Sequence, residues 1–188
     1  MNRDAFAQYY HRIWSDLLEA RAYIVAAILI FAAGSILALS IPRVGEKVIA
    51  LVFEYFEPFK DKQYLELVVA IFLQNASAAF LAIAFGFVLG LIPLLGAFFN
   101  GIVLGAIIHL DPLHILMIIP HGLFELPAVF TAWGLGMWCA GGLFHAQRLE
   151  TITIRIKKSL QIYLSLIIPL LIIAAIIEVS AIKILSGT

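Results

Sequence analysis

The fold is decided by residues 67–147, which read LVVAIFLQNASAAFLAIAFGFVLGLIPLLGAFFNGIVLGAIIHLDPLHILMIIPHGLFELPAVFTAWGLGMWCAGGLFHAQ. This 81-residue stretch contains only two formally charged side chains, Asp111 and Glu125, and no Lys or Arg occurs between Lys62 and Arg148. A water-soluble domain carries about a quarter of its residues as charged side chains, so this stretch is too apolar to be one. Its length suits several helices that each cross a bilayer with about 20 residues.

The composition of the whole chain predicts the same class of protein. Of its 188 residues 63% are apolar and 13% are charged, the formal net charge is zero, and the mean hydropathy is +1.05. The charge balance argues against nucleic acid as a partner, since nucleic-acid-binding proteins carry a basic patch. One cysteine, Cys139, excludes an intramolecular disulfide. We therefore predict an all-α polytopic transmembrane bundle with no separate soluble catalytic domain.

The apolar runs predict a single transmembrane domain over residues 22–188 with five spans. These spans are expected over residues 22–41, 66–90, 94–110, 113–144 and 160–185. Residues 1–21 form a predicted amphipathic helix, which lies on the membrane surface or packs on its own bundle. Residues 42–64 form the largest polar connection, with a short interfacial helix that ends near Pro58.

Prolines and glycines mark two interruptions of the central apolar block. The stretch Gly90–Gly96 is interpreted as a turn at the membrane surface between two complete spans. The stretch Pro120–Pro127 predicts a break inside the membrane region, either a kink in one span or a re-entrant half-helix with a bend. The pair Asp111-Pro112 has the composition of a helix start.

The basic residues of the loops predict the orientation of the chain. With five spans, one side of the membrane receives seven Lys and Arg residues and the other side receives five. Because cytoplasmic loops are enriched in basic residues, the N-terminus is predicted to be cytoplasmic, in a multi-pass protein of the cell membrane.

Small residues cluster in the same block. Gly86 and Gly90, and likewise Gly101 and Gly105, are spaced four residues apart in apolar surroundings. Such spacing lets two helix backbones approach closely. The pattern predicts tight helix packing within one subunit, or a face between copies of the chain in a homo-oligomer.

Few polar side chains interrupt the apolar block, and they are expected to gather. Buried in lipid without partners, each would cost several kcal/mol. The predicted polar intramembrane cluster consists of His121, Glu125, Asn75, Asn100 and Gln74. A carboxylate within a span is a functional hypothesis by default. Three interpretations stay open: a hydrogen-bonded structural clamp, a proton- or ion-handling site, and a metal site.

A metal site would use donors that share one helix face. His114, His121 and Glu125 would lie within about 40° of one another on an ideal helix, while His109 falls well off that face and is the weaker candidate. The zinc-protease motif, a serine nucleophile motif and a Gly-rich phosphate loop do not occur in the sequence. We therefore expect no catalytic residues and no cofactor apart from a possible metal ion.

One motif resembles a known family. The run Pro120-His-Gly-Leu-Phe-Glu-Leu-Pro127-Ala resembles the most recognisable motif of the stage II sporulation protein M family. The pair Gln74-Asn75 and the run Asn100-Gly101-x3-Gly105 are similar to that family's pattern, and the likeness covers about residues 65–185. It implies a membrane protein that, in sporulating bacteria, works with peptidoglycan-degrading partners during engulfment. It implies no established catalytic residue.

These observations favour a non-enzymatic membrane component. The expected role is a homo-oligomeric scaffold or assembly factor in the lipid bilayer, with a membrane or envelope protein as a possible partner. The alternative is a channel or secondary transporter with an ion-sensitive site at His121 and Glu125. A third class, an intramembrane metalloenzyme, would need three or more ligands that converge.

Overall fold

A computed structural model describes residues 3–56, 63–88, 90–110 and 115–186, and these residues contain no strand. Seven helices are named here in chain order: α1 (Arg3–Ser40), α2 (Pro42–Phe56), α3 (Tyr64–Ala84), α4 (Leu91–Leu110), α5 (Ile115–Gly141), α6 (Arg148–Ile162) and α7 (Ile168–Ser186). Within the described ranges, five helical stretches are long and apolar enough to cross a membrane: Asp4–Ser40, Tyr64–Ala84, Leu91–Leu110, Ile119–Phe144 and Arg148–Ile184. The predicted all-α bundle is therefore confirmed.

The first span is longer than predicted because helix α1 runs without a break from Arg3 to Ser40. The predicted boundary at residue 21 is corrected: no glycine or proline occurs before Gly34, and the residues around Arg21 are good helix formers. The N-terminal half of α1 also packs on the bundle. Ile13 is buried in the same apolar core as Ile162, which lies on α6.

The polar connection after the first span contains helix α2, which ends at Phe56, two residues before Pro58. Pro42 is its first residue, a position where the missing amide proton costs nothing. Gly45 of α2 lies against Ala106 of α4, so this short helix packs on the third span.

The described part of the turn between α3 and α4 comprises residues 85–88 and Gly90, so the turn begins five residues earlier than the Gly90–Gly96 turn predicted from sequence. Gly90 has a φ of +67°, a left-handed conformation that favours glycine. Pro93 is the third residue of α4, and the first four amides of a helix need no intrahelical acceptor. The proline therefore lies inside the helix, and the glycine makes the turn.

Helix α5 is continuous through both of its prolines, so of the two alternatives predicted at Pro120–Pro127 the single span fits and the re-entrant half-helix does not. Prolines are tolerated in membrane helices because hydroxyl side chains and neighbouring helices satisfy the backbone groups that they free. The re-entrant alternative is excluded by the same continuity.

The last span begins as helix α6 at Arg148, so the polar segment before the predicted start at residue 160 is helical. A π-helical turn over Tyr163–Ile167 joins α6 to α7 and directly precedes Pro169. Such a turn widens the backbone locally and gives room to a proline ring. The hydroxyl of Tyr163 donates to the carbonyl oxygen of Ala76 at 2.9 Å, which connects the last span to α3.

Glycines bring pairs of helices into backbone contact. A methyl group at Gly86 would overlap the carbonyl oxygen of Gly136, and one at Gly101 would overlap that of Phe31. Gly105 lies in the same way against Ser35. The predicted glycine motifs therefore pack the turn after α3 on α5, and α4 on α1, within one chain.

Candidate intramembrane site

The candidate site is built from two helices that are distant in sequence. Because α5 is continuous, His121 and Glu125 lie one turn apart on one helix face. Glu178 of α7 joins them, and one possible ligand atom from each of the three side chains lies within 4.8 Å of the others. All three side chains are half-buried. We call these three residues the His–Glu–Glu cluster.

A third helix contributes an amide to this cluster. Asn75, near the middle of α3, donates a hydrogen bond of 3.3 Å from Nδ2 to Oε1 of Glu125. The predicted association of Asn75 with Glu125 is therefore present in the fold. Contacts of this polar group connect α3, α5 and α7.

The other two predicted members of the polar group behave differently. Oε1 of Gln74 is buried and has no hydrogen-bond partner among the described residues. Asn100 is exposed on α4, and its amide donates to the carbonyl oxygen of Gly96 at 2.8 Å. The predicted gathering of Asn100 around Glu125 is corrected, because α4 turns its small residues Ala97 and Gly101 inward instead.

Two of the histidines proposed as metal ligands are not in the described cluster. His109 is exposed at the end of α4, and His114, like the predicted helix start at Asp111-Pro112, lies outside the described residues. Among the described residues the third donor beside His121 and Glu125 is Glu178, which sequence reasoning did not pair with α5. The available signal was its carboxylate, which lies in an otherwise apolar span.

The charge around the His–Glu–Glu cluster is unbalanced along the helices that form it. Helices α3 and α5 contain no Lys or Arg, and α7 contains one, Lys183, five residues after Glu178. On an ideal helix five residues correspond to a rotation of about 140°. No Lys or Arg side chain therefore lies one turn away from either carboxylate on its own helix, although His121 lies one turn before Glu125.

A second polar group lies where α1 meets α6, and sequence reasoning missed it. Nζ of Lys158 lies 2.7 Å from Oδ1 of Asp16 and 2.9 Å from Oε2 of Glu19. Asp16 is only 3% exposed. The nearby Arg155 donates a hydrogen bond of 2.6 Å to the carbonyl oxygen of Trp138, and its guanidinium carbon lies 5.0 Å from the centre of that ring. We call these residues the Asp16–Lys158 cluster.

Two hollows flank these groups. One of about 400 Å³ adjoins the Asp16–Lys158 cluster and is lined by Glu19, Trp138, Thr151, Ile154, Arg155 and Lys158. The other, of about 410 Å³, lies against α5 and has an apolar lining of Leu104, Ile119, Gly122, Leu123, Leu126, Pro127 and Phe130. Neither hollow is lined by a member of the His–Glu–Glu cluster.

The fold and the site together define a polytopic helical membrane protein with ionisable residues inside its bundle. The family model of stage II sporulation protein M matches residues 22–180, and the chain belongs to that family. The match covers all the residues of the His–Glu–Glu cluster and the Asn75 amide. No curated protein and no solved structure matches the chain.

Proposed function

We propose that this protein is a non-enzymatic scaffold or assembly component of the cell membrane. The observation that supports the proposal is the direct contact of Asn75 with Glu125, next to His121 and Glu178. The hydrogen bond joins α3 to α5, and the carboxylate of Glu178 on α7 lies beside it. Polar contacts of this kind between membrane helices hold the helices together as a clamp.

Membership of the family supports a role with other proteins. The scaffold is expected to self-associate or to hold a membrane or envelope protein. The glycine pairs are used inside the chain, so self-association requires a different surface. Exposed phenylalanines near the end of α3, in the turn that follows it and in the middle of α4 offer one, namely Phe80, Phe85, Phe87 and Phe99.

The scaffold proposal is tested by the mass of the purified protein in mild detergent and in lipid nanodiscs. We expect an oligomer that persists on dilution and that weakens when Phe85 and Phe87 are both replaced by Ala. The matched control is Phe144→Ala, which removes an exposed phenylalanine elsewhere. A monomer in both media with no co-purifying protein contradicts the proposal.

A channel or secondary transporter is the second candidate. The three ionisable side chains inside the spans favour it, because such residues often mark ion pathways. Ion flux into proteoliposomes should then fall in Glu125→Gln and in His121→Ala. Flux that is the same in these variants as in the wild type, or absent from both, excludes this function.

The orientation proposed from the loop charges has its own test. Cys139 is the only cysteine and is buried. A single cysteine introduced at an exposed position therefore reports on which side of the membrane that position lies. Thr153→Cys should be protected from an impermeant maleimide in intact cells, and Lys47→Cys should react. The opposite pattern would place the N-terminus outside.

A further inference from the structure

We propose that His121, Glu125 and Glu178 bind one divalent first-row transition-metal ion, such as Zn²⁺ or Mn²⁺, between α5 and α7. This inference goes beyond the scaffold function, because it assigns a ligand to residues that the scaffold uses only as a clamp. Three observations carry it: the convergence of the donor atoms, the charge of the cluster and the identity of the donors.

The donor atoms are close enough to share one ion. They lie within 4.8 Å of one another, whereas ligands around a tetrahedral zinc ion, with bonds of about 2.1 Å, are separated by about 3.4 Å. A contraction of roughly an ångström is within reach of small side-chain rotations. His121 and Glu125 are spaced i and i+4 on one helix, the spacing by which zinc sites take two ligands from a single helix.

The charge of the cluster calls for a cation. Two carboxylates inside a helical bundle are expensive unless they are compensated. No Lys or Arg occurs between Lys62 and Arg148, so α3 and α5 carry none. A divalent cation with two glutamates and a neutral imidazole gives a site with no net charge.

The donor set selects the kind of cation. Imidazole nitrogen suits zinc and other transition metals, whereas calcium and magnesium prefer sites made only of oxygen ligands. A thiolate-rich site is excluded, because Cys139 is the only cysteine and its sulfur lies 3.6 Å from Oγ of Ser159 instead.

Asn75 completes this arrangement as a positioning residue. Its amide holds one oxygen of Glu125, and an outer hydrogen bond of this kind fixes the orientation of a metal-binding carboxylate. Three protein ligands would leave one coordination position for water or for a further group. An ion held this way would join α5 to the last span and stabilise the folded bundle.

The experiment is a metal-binding measurement on the full-length protein in detergent. The protein is stripped with a chelator, titrated with ZnCl2 or MnCl2, and analysed for bound metal after desalting. We expect one ion per chain in the wild type and a loss of affinity of at least tenfold in Glu178→Gln, Glu125→Gln and His121→Ala. The matched controls are His109→Ala and Glu66→Gln, which remove an exposed histidine and an exposed carboxylate.

A second measurement does not depend on the folding of any variant. Co²⁺ added to the stripped wild-type protein should give the intense visible bands of low-coordinate cobalt, and Zn²⁺ should displace them. A wild type that binds no metal overturns the inference, as does a wild-type affinity retained in all three ligand variants. A protein that binds no metal and still forms the oligomer would overturn the metal site while leaving the scaffold proposal intact.

Discussion

Two polar clusters lie in this bundle, and they differ in how their charges are compensated. In the Asp16–Lys158 cluster the carboxylates of Asp16 and Glu19 contact the ammonium group of Lys158. In the His–Glu–Glu cluster two carboxylates meet one imidazole and an amide, on helices where the only basic residue is Lys183. The first cluster pairs its carboxylates with a cation of the same chain, although Oδ2 of Asp16 is buried without a hydrogen-bond partner among the described residues. The second cluster is the one for which we propose a bound metal ion.

The Asp16–Lys158 cluster has the composition of a structural ion pair, whereas the His–Glu–Glu cluster has that of a binding site. A buried ion pair whose partners are both present is a stable packing element, and removing one partner leaves an uncompensated charge. A cluster with an excess of like charge is costly to keep unless it binds something. The two clusters should therefore respond in opposite ways when a single charge is removed.

The largest expected effect is that of Lys158→Met. This change leaves the carboxylate of Asp16, which is 3% exposed, without its cation. Because Lys158 is itself partly exposed, we expect a loss near the lower end of the range of about 3–5 kcal/mol that is typical of broken buried pairs. The measurement is the free energy of unfolding in mixed detergent micelles.

The control for this prediction is Lys157→Met, an exposed neighbour on the same helix. It should cost little, and the double variant Asp16→Asn with Lys158→Met should recover part of the loss. Equal losses in the two single lysine variants would show that the ion pair contributes nothing specific.

The next largest effect is stabilisation by added metal. At a Zn²⁺ concentration one hundred times the dissociation constant, a single site present only in the folded state adds about 2.7 kcal/mol. Thermal unfolding of the stripped wild type should shift upward accordingly, and Glu178→Gln should show no such shift. An equal shift in both proteins would mean that zinc acts somewhere other than on this cluster.

A smaller effect of opposite sign is expected for Glu178→Gln in the metal-free protein. Replacing one of two neighbouring carboxylates with a neutral side chain of the same shape removes repulsion and desolvation cost, as neutral replacements of buried charges often do. We expect the free energy of unfolding to stay the same or to rise by about 1 kcal/mol. A loss as large as that of Lys158→Met would remove the contrast between the two clusters.

The sequence predicted the elements of this fold better than their contacts. The five spans could be found because apolar length alone selects them, and the turn after α3 was misplaced only because Pro93 was taken as the breaker instead of Gly90. Two alternatives stayed open at Pro120–Pro127 because proline ends helices in water but is tolerated between packed membrane helices.

In the candidate site, too, residues of one helix could be paired from the sequence, whereas contacts between helices could not. His121 and Glu125 could be paired because four residues separate them on one helix. Glu178 is 53 residues further along the chain than Glu125, and only the packing of α7 against α5 brings it close. Asn100 was assigned to the cluster on polarity alone, although the small residues of α4 decide which face turns inward. Contacts between helices depend on shape that a single sequence does not display.

The smallest expected effect, that of Asn75→Ala, tests how tightly the second cluster is organised. The amide hydrogen bond to Glu125 is long, at 3.3 Å, so its loss should cost only about 0.5–1 kcal/mol of unfolding free energy. The effect on Zn²⁺ affinity should be larger, a loss of about tenfold, because a ligand that is no longer oriented binds metal less well.

The neighbouring Gln74→Leu serves as the control. It removes a buried acceptor that has no partner among the described residues, and it should lower neither the free energy of unfolding nor the Zn²⁺ affinity. A variant at Asn75 that unfolds and binds zinc like the wild type would show that the amide only fills space, and the cluster would then reduce to its three ionisable side chains.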